Sequence, residues 1–315
     1  MTPVYICTGL LDSGKTTFIK DTLMEQEWLN PGRTLILLCE EGEFELDAEY
    51  KKSRIIETVT VEDPDVFTQE FCKNCVEKYH PGQIIIEFNG MWNLQEFLQK
   101  DFPQEWGLAG IYSTVDGSQL ELLMNNMRAL FMNQLIESDL VVVNRCRRDM
   151  NRTTFRKALK LQNPNAQVIF EALDGGIIEF SEEDLPYDIN ADVIDVEDVD
   201  YATWYADAME NPSRYRKKKI RFLAQIMRPV GMPRNMFVPG RQIMACCAAD
   251  VRFYGIPCKA DGNVKAEPKS WKRVTVEFST DTKKALFGPQ QGAQPVLKLI
   301  AMEDASAPEQ EICTP

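Results

Sequence analysis

"VYICTGLLDSGKTTF", Val4 to Phe18, joins a short apolar run to a glycine-rich turn and then to the start of an amphipathic stretch. Gly9, four further residues and then Gly14-Lys15-Thr16 have the spacing of a phosphate-binding loop. Gly9 and Gly14 leave the backbone free to curl, so that successive N–H groups of a loop containing Asp12 and Ser13 point inward at an anion. A helix starting near Lys15, its first turn carrying Thr16 and Thr17, adds the positive end of its dipole. Lys15, expected to be exposed in the loop, can reach the β- and γ-phosphates of a nucleotide, and the Thr16 hydroxyl can ligate magnesium. Gly9, Asp12, Ser13, Gly14, Lys15, Thr16 and Thr17 are therefore the expected nucleotide contacts.

A nucleoside triphosphatase also needs an acid at the end of a neighbouring strand to hold magnesium or its water. "IIIEFNG", Ile84 to Gly90, supplies Glu87 after three isoleucines, with Gly90 three residues on. A glycine there lets a backbone N–H approach a γ-phosphate and sense it. After the second apolar run, "CEEGEFELD" crowds Glu40, Glu41, Glu43, Glu45 and Asp47 around a glycine. Like charges this dense repel unless a cation sits among them. The stretch is either an exposed acidic loop or a switch loop touching magnesium or a second metal. On the second reading Glu41 joins Lys15 and Glu87 as a catalytic residue, and joins Thr16 and Glu87 as a magnesium ligand.

The rest of the chain narrows the setting. It has 315 residues, 44% of them apolar, and a formal charge of −13. That length favours two domains. That charge argues against a nucleic-acid partner, which needs clustered Lys and Arg. No apolar run approaches the roughly twenty residues of a membrane span, and the N-terminus enters a strand with no signal-peptide pattern, so a cytoplasmic, non-embedded protein is expected. Nine cysteines, an odd number, fit reduced thiols better than disulfides, some of them as metal ligands. A single histidine, His80, excludes His-rich metal binding.

Short apolar runs predict strands at Val4–Thr8, Thr34–Cys39, Gln83–Phe88, Gly110–Val115, Leu140–Val143 and Gln167–Phe170. They show no polar alternation, as in a buried parallel sheet. Helical periods lie between them, one running from Leu120 to Ile136. The fold expected for residues 1–180 is an α/β nucleotide-binding domain with a doubly wound, mostly parallel sheet. From Ser181 to Glu210 the chain is acidic, and from Arg214 to Arg221 it is basic. Residues 181–218 read as a solvated linker and surface helix, or else as an acidic arm that competes for a basic surface or gathers cations. Residues 219–315 read as strands between Gly, Pro and Asp turns, a small, mainly antiparallel β domain that could close as a barrel.

These motifs resemble those of the CobW-type P-loop GTPases, a family associated with metal insertion and metal homeostasis. "GLLDSGKTT" resembles that family's phosphate loop, "CEEGEFELD" its acidic loop, "IIIEFNGM" its Glu-x-x-Gly motif, and "QLIESDLVVVN" the run into its base-recognition loop. The resemblance covers roughly residues 1–180. It implies magnesium-dependent GTP hydrolysis coupled to handling of zinc or cobalt, with Asn144 and Arg145 at the base and Gly90 at the γ-phosphate. The chain departs from the pattern twice. Where the family has Asn-Lys-x-Asp it reads Asn144-Arg145-Cys146-Arg147, and a guanidinium at Arg147 cannot accept hydrogen bonds from guanine. Asp149 could substitute if the loop is reshaped. The Cys-x-Cys-Cys metal motif is also missing. What remains is Cys72-x-x-Cys75 with His80, which could share a metal or simply pack.

The C-terminal stretch resembles an uncharacterised bacterial domain found beside putative permeases and CobW-like proteins, chiefly in "GRQIMACCAADV". Its adjacent Cys246 and Cys247 are candidates for a transition-metal or redox site, with Cys39 or Cys258 as further thiols, although neighbours on a strand face opposite ways unless it bends. The leading reading is a nucleotide-hydrolysing switch that serves a metal-dependent client and uses GTP, magnesium and zinc or cobalt. The alternative is a weakly hydrolysing adaptor that regulates a membrane permease through its β domain. Either could oligomerise.

Overall fold

The computed structural model describes residues 1–25, 32–40, 56–245, 248–264, 267–281 and 294–314. Contacts divide the chain into two compact units, Met1–Met150 with Asn165–Glu179, and Asn151–Pro164 with Phe180–Pro315. Among the described residues no helix is long and apolar enough to cross a membrane.

The first unit is built on strands β1 (Thr2–Thr8), β2 (Thr34–Leu38), β3 (Ile56–Thr60), β4 (Gln83–Glu87), β5 (Trp106–Asp116), β6 (Leu140–Cys146), β7 (Gln167–Ala172) and β8 (Ile177–Ile178). Their order is β3-β2-β4-β1-β5-β6-β7-β8, and the pairings are parallel except for β7 with β8. The order turns back at β1, between β4 and β5, and in such sheets ligands bind at the carboxyl ends of the strands beside that point. The apolar runs became strands because both faces are covered. Leu35, Ile36 and Leu37 are fully buried, and Ile84, Ile85 and Ile86 nearly so.

Sequence reading overlooks β3, "IETVT", because it lies at the sheet edge. Ile56 is buried there, while Glu57, Thr58 and Thr60 are exposed. Polar residues on an edge strand leave no apolar run to detect, and they discourage pairing with another chain.

The first helices are α1 (Lys15–Glu25), α2 (Gln69–Tyr79), α3 (Leu94–Leu98), α4 (Leu120–Asn126) and α5 (Arg128–Asn133). The period expected to run from Leu120 to Ile136 is thus two helices. Met127 leaves the helical region at φ −132°, directly after Asn125 and Asn126, which are poor helix formers. Arg128 Nε donates to the Met124 carbonyl oxygen at 3.1 Å, covering an acceptor at the break. In α2 the Thr68 hydroxyl accepts from the Phe71 N–H at 3.2 Å as an N-cap. Cys72 and Cys75 of this helix face a core containing Phe67, Phe88 and Phe97.

The helix α6 (Thr153–Gln162) follows β6 in sequence yet belongs to the second unit. That unit adds β9 (Ile194–Asp195), α7 (Tyr201–Glu210), α8 (Pro212–Tyr215), β10 (Lys219–Met227), β11 (Met236–Ile243), β12 (Arg252–Gly255), β13 (Cys258–Lys259), β14 (Trp271–Asp281), β15 (Gln294–Asp304) and β16 (Ile312–Cys313). The pairings β10–β11, β11–β13, β13–β15, β15–β14 and β14–β10 close on themselves, so β10, β11, β13, β14 and β15 form a barrel. All five are antiparallel except β13–β15. This is a five-stranded barrel of the OB type.

β12 and β13 share one register on β11, Ile243 opposite Arg252 and Met236 opposite Lys259. They are one strand interrupted near Pro257, which has no N–H to give to a ladder. Alternate residues fill the barrel: Ile220, Phe222 and Ala224 from β10, and Val274, Val276 and Phe278 from β14, are fully buried.

The acidic run before the barrel is not a solvated linker. α7 buries Tyr201, Trp204 and Ala208, and the Trp204 and Phe222 rings lie 4.8 Å apart. Its charge is met by cations of the same unit: Asp184 by Arg152 at 2.8 Å, Asp198 by Arg241 at 3.1 Å, Asp195 by Arg221, and Glu210 by Lys160 at 2.7 Å and by Arg156. Asp184, Asp195, Asp198 and Glu210 thus find partners within the fold. Asp207 is the deepest of them, 2% exposed. It accepts from Arg214 at 2.8 Å, Asn211 at 2.9 Å and the Tyr215 hydroxyl at 2.6 Å, and Tyr215 in turn contacts the Tyr187 hydroxyl at 2.7 Å.

Removing one partner of a buried ion pair costs about 3–5 kcal/mol, because the other charge stays buried. Asp207→Ala should therefore lower the opening free energy of β10 amides by about that much, read by native-state hydrogen exchange. A loss below about 1 kcal/mol, typical of exposed pairs, would mean that the network adds packing but little charge pairing.

Candidate phosphate and base site

The site grows from the register of β1 and β4, in which Cys7 lies opposite Glu87. Beyond Thr8 the chain turns at Gly9, whose φ of 137° is unfavourable for any residue with a side chain. A Cβ there would also stand 2.3 Å from the Thr114 carbonyl oxygen. Beyond Glu87 the turn is tied back to β2 by Asn89 Nδ2, which donates to the Cys39 carbonyl at 3.0 Å. It brings Gly90 against the loop so closely that a Cβ would meet the Gly9 carbonyl oxygen at 2.3 Å. The two turns can nest only because Gly90 lacks a side chain, and Gly9 can lie against Thr114 of β5 only because it lacks one too.

Lys15 stands between them. The expectation that it is exposed is wrong: it is 3% exposed, because the loop wraps its own lysine. Its Nζ donates to the carbonyls of Gly9 at 2.9 Å and Leu10 at 3.0 Å, and pairs with Glu40 Oε2 at 2.8 Å. The other oxygen, Glu40 Oε1, accepts from the Gly90 N–H at 2.8 Å. The Thr16 hydroxyl donates to Glu87 Oε1 at 2.5 Å. Burial raises the Glu87 carboxyl above its ordinary pKa, aided by Glu40 and opposed by the Thr16 hydroxyl and by Lys15. Lys15, Thr16, Glu87 and Gly90 are thus brought to one place. Thr17 is exposed on α1, and Ser13 is buried, its hydroxyl 2.8 Å from that of Thr114.

Beside this group the loop is clasped by β6. Asn144 Nδ2 donates to the Ser13 carbonyl at 2.8 Å, and Arg145 donates to the Asp12 carbonyl at 3.0 Å. Asp12 and Arg145 both have positive φ, 60° and 51°, so this bond ties two strained turns together. Arg145 also pairs with Asp116 at 2.6 Å. Burial pushes the Asp116 carboxyl up, but hydrogen bonds from Ser118 and Arg145 outweigh it and hold the carboxyl below its ordinary value. Arg147 is 71% exposed and donates to both oxygens of Asp149, at 3.0 and 2.6 Å. The carboxylate that could have substituted in base reading is therefore occupied.

Sequence reading passes over Glu40 and Asp116. Asp116 carries a usable signal, an acid at a strand end followed by glycine, the same logic that singles out Glu87. Glu40 is one of five acids in a crowded stretch, and nothing in composition ranks it above Glu41. Glu41, Glu43, Glu45 and Asp47 lie outside the described residues, as do Cys246 and Cys247.

The described thiols are poor ligands as they stand. Among the described residues Cys7, Cys39, Cys72, Cys75, Cys146, Cys258 and Cys313 are buried and none is in a disulfide. Burial pushes the thiols of Cys72 and Cys258 up to about 12 and that of Cys75 to about 11, so they remain protonated at neutral pH. Cys72 and Cys75 point into the core while His80 is exposed at the C-cap of α2, so the three do not converge. Among the described residues no group of three or more His, Cys, Asp or Glu is placed to hold a metal ion.

No curated protein matches the chain in sequence. Among solved structures it is similar to the hydrogenase maturation factor HypB from Archaeoglobus fulgidus, at 18% identity and a TM-score of 0.37, covering 56% of this chain and 84% of that one. It is also similar to the Zn(II)-bound YjiA GTPase from E. coli, at 14% identity and a TM-score of 0.42, covering 86% and 92%. Residues 179–312 match the DUF1980 C-terminal domain. Residues 3–170 match the CobW/HypB/UreG nucleotide-binding domain and take in the phosphate loop, Glu87, Gly90 and Asn144. The chain belongs to the CobW/HypB/UreG nucleotide-binding family and carries a DUF1980 C-terminal domain after it.

Proposed function

We propose that the first unit binds a nucleoside triphosphate, with GTP the expected nucleotide, and hydrolyses its terminal phosphate, in a cycle that serves the handling of a metal ion such as zinc or cobalt. The observation that carries this reading is the meeting of Lys15 Nζ, the Gly90 N–H and the Thr16–Glu87 pair at the carboxyl ends of β1 and β4. An ammonium and an N–H suit phosphate oxygens. A hydroxyl and a carboxylate 2.5 Å apart are the hard oxygen donors that magnesium takes, so the residues fit that ion. When bound, magnesium would neutralise charge on the phosphate oxygens. Thr16 and Glu87 are the residues that would hold it, and the Thr16 proton now directed at Glu87 would turn away.

Asn144 and Arg145 serve the base side, Arg145 lying over the purine face while Asp116 holds it in place. For the metal cargo, the burial of the described thiols leaves Cys246 and Cys247 as the candidates. A nucleotide-dependent carrier with reduced thiols belongs in the cytoplasm and acts on a metal-dependent client.

Lys15→Ala should weaken triphosphate binding by about two orders of magnitude, the range seen when one member of a buried charge pair is lost. Fluorescent nucleotide titration reads this, and unchanged affinity would remove the assignment. Glu87→Gln should keep nucleotide binding but lose about a hundredfold in turnover, in line with the loss of one preorganised electrostatic group. Hydrolysis at the wild-type rate would hand the ion to another acid, Glu41 first.

Base choice gives a third test. With Arg147 at the family's acid position, GTP and ATP should bind within about tenfold of each other, since strong rejection of the wrong base comes from acceptors left unpaired. Arg147→Asp should sharpen the preference toward GTP in competition binding. A strong GTP preference in the unmodified chain would mean that backbone groups or Asp149 read the base.

A further inference from the structure

Glu40 is the second residue beyond β2, the strand that lies beside β4, and both of its oxygens are committed. Oε2 takes Lys15 Nζ at 2.8 Å and Oε1 takes the Gly90 N–H at 2.8 Å. On the reading proposed above, on which this inference rests, those two donors await a terminal phosphate: the loop ammonium and the sensing N–H. We propose that Glu40 is a resident stand-in for that phosphate, and that a triphosphate binds by displacing it from the Lys15–Gly90 seat.

Exposure separates this pair from ordinary surface ion pairs. The Lys15 side chain is 3% exposed and that of Glu40 13%, so solvent and salt screen them little. Glu40 also faces a like charge, the buried Glu87 carboxyl, whose pKa Glu40 helps to raise while Lys15 acts to lower it. A carboxylate brings one negative charge and two oxygens. A terminal phosphate brings about two charges and three strong acceptor oxygens, so it is the stronger ligand for the same donors.

The consequence is selectivity between nucleotide states. A diphosphate can draw on Lys15 through its β-phosphate but brings no third phosphate to the Gly90 N–H, so it competes with Glu40 for only part of the seat. A triphosphate needs all of it, and its apparent affinity is its intrinsic affinity reduced by the fraction of molecules with the seat open. Glu40 therefore sets the ratio of triphosphate to diphosphate binding, and it does so without touching the base or the magnesium donors Thr16 and Glu87.

The test is calorimetric titration of GTP and of GDP into the full chain in magnesium-free buffer with a chelator, for the unmodified protein, Glu40→Ala, Glu40→Gln and Lys15→Ala. Glu40→Ala should bind GTP about tenfold more tightly or better while its GDP affinity moves less than about threefold. Glu40→Gln should fall between, since its amide oxygen still accepts from Gly90 but carries no charge. Equal or weaker GTP binding by both Glu40 variants, with Lys15→Ala still defective, overturns the resident-anion proposal and leaves the phosphate site standing. That result is also the one expected if Glu40 serves only as a metal ligand, because no metal is present to be lost. GTP binding by Lys15→Ala equal to that of the unmodified chain overturns the phosphate site itself, and the proposal with it.

Discussion

The nested turns of Gly9 and Gly90 are the constraint on which the candidate site depends. Parallel pairing of β1 with β4 sets Cys7 opposite Glu87, so the chain leaves both strands at the same level. The two turns beyond those strand ends share a space in which a Cβ on Gly90 would stand 2.3 Å from the Gly9 carbonyl oxygen. Once the turns are in contact, the lysine after the first is enclosed, and the N–H of the second points at the same spot. The acid that ends β4 then meets the first hydroxyl of α1. Each of these placements is a consequence of strand register and of two missing side chains.

The second unit solves a different problem. Its sequence separates charge along the chain, acids from Ser181 to Glu210 and bases from Arg214 to Arg221, so that in an extended chain each block would repel itself. Folding brings them together: Asp207 with Arg214 and Asp195 with Arg221. The barrel interior is apolar, with the alternation of β10 and β14 supplying its lining. Charge pairing settles where α7 and β9 lie, and the apolar lining supplies the main driving force for burial.

How much of this is legible in the chain depends on the trace each feature leaves there. The buried parallel strands announce themselves as unbroken apolar runs, and the phosphate loop as a spacing that only glycines satisfy. β3 leaves no run because it is a polar edge. The linker reading of residues 181–218 fails because a charged segment need not be solvated, and Trp204 and Tyr201 within it are large and apolar enough to belong to a core. Lys15 is expected in solvent only if a loop is pictured without its own carbonyls, and Gly9 and Leu10 supply two acceptors. The pairing of Glu40 with Lys15 and Gly90 joins residues far apart in the chain, and only the fold reveals it. The same holds for Asp116 and Arg145, whose meeting requires β5 and β6 to be neighbours.

The claim at the centre of the account is that the Lys15–Gly90 seat receives the terminal phosphate of a nucleotide. A crystal structure of the chain with a non-hydrolysable GTP analogue and magnesium tests it most directly. Oxygens of the third phosphate are expected on Lys15 Nζ and on the Gly90 N–H, the ion on Thr16 and Glu87, and the Glu40 carboxylate turned out of the seat. A third phosphate bound elsewhere, with Glu40 still joining Lys15 to Gly90, would contradict it.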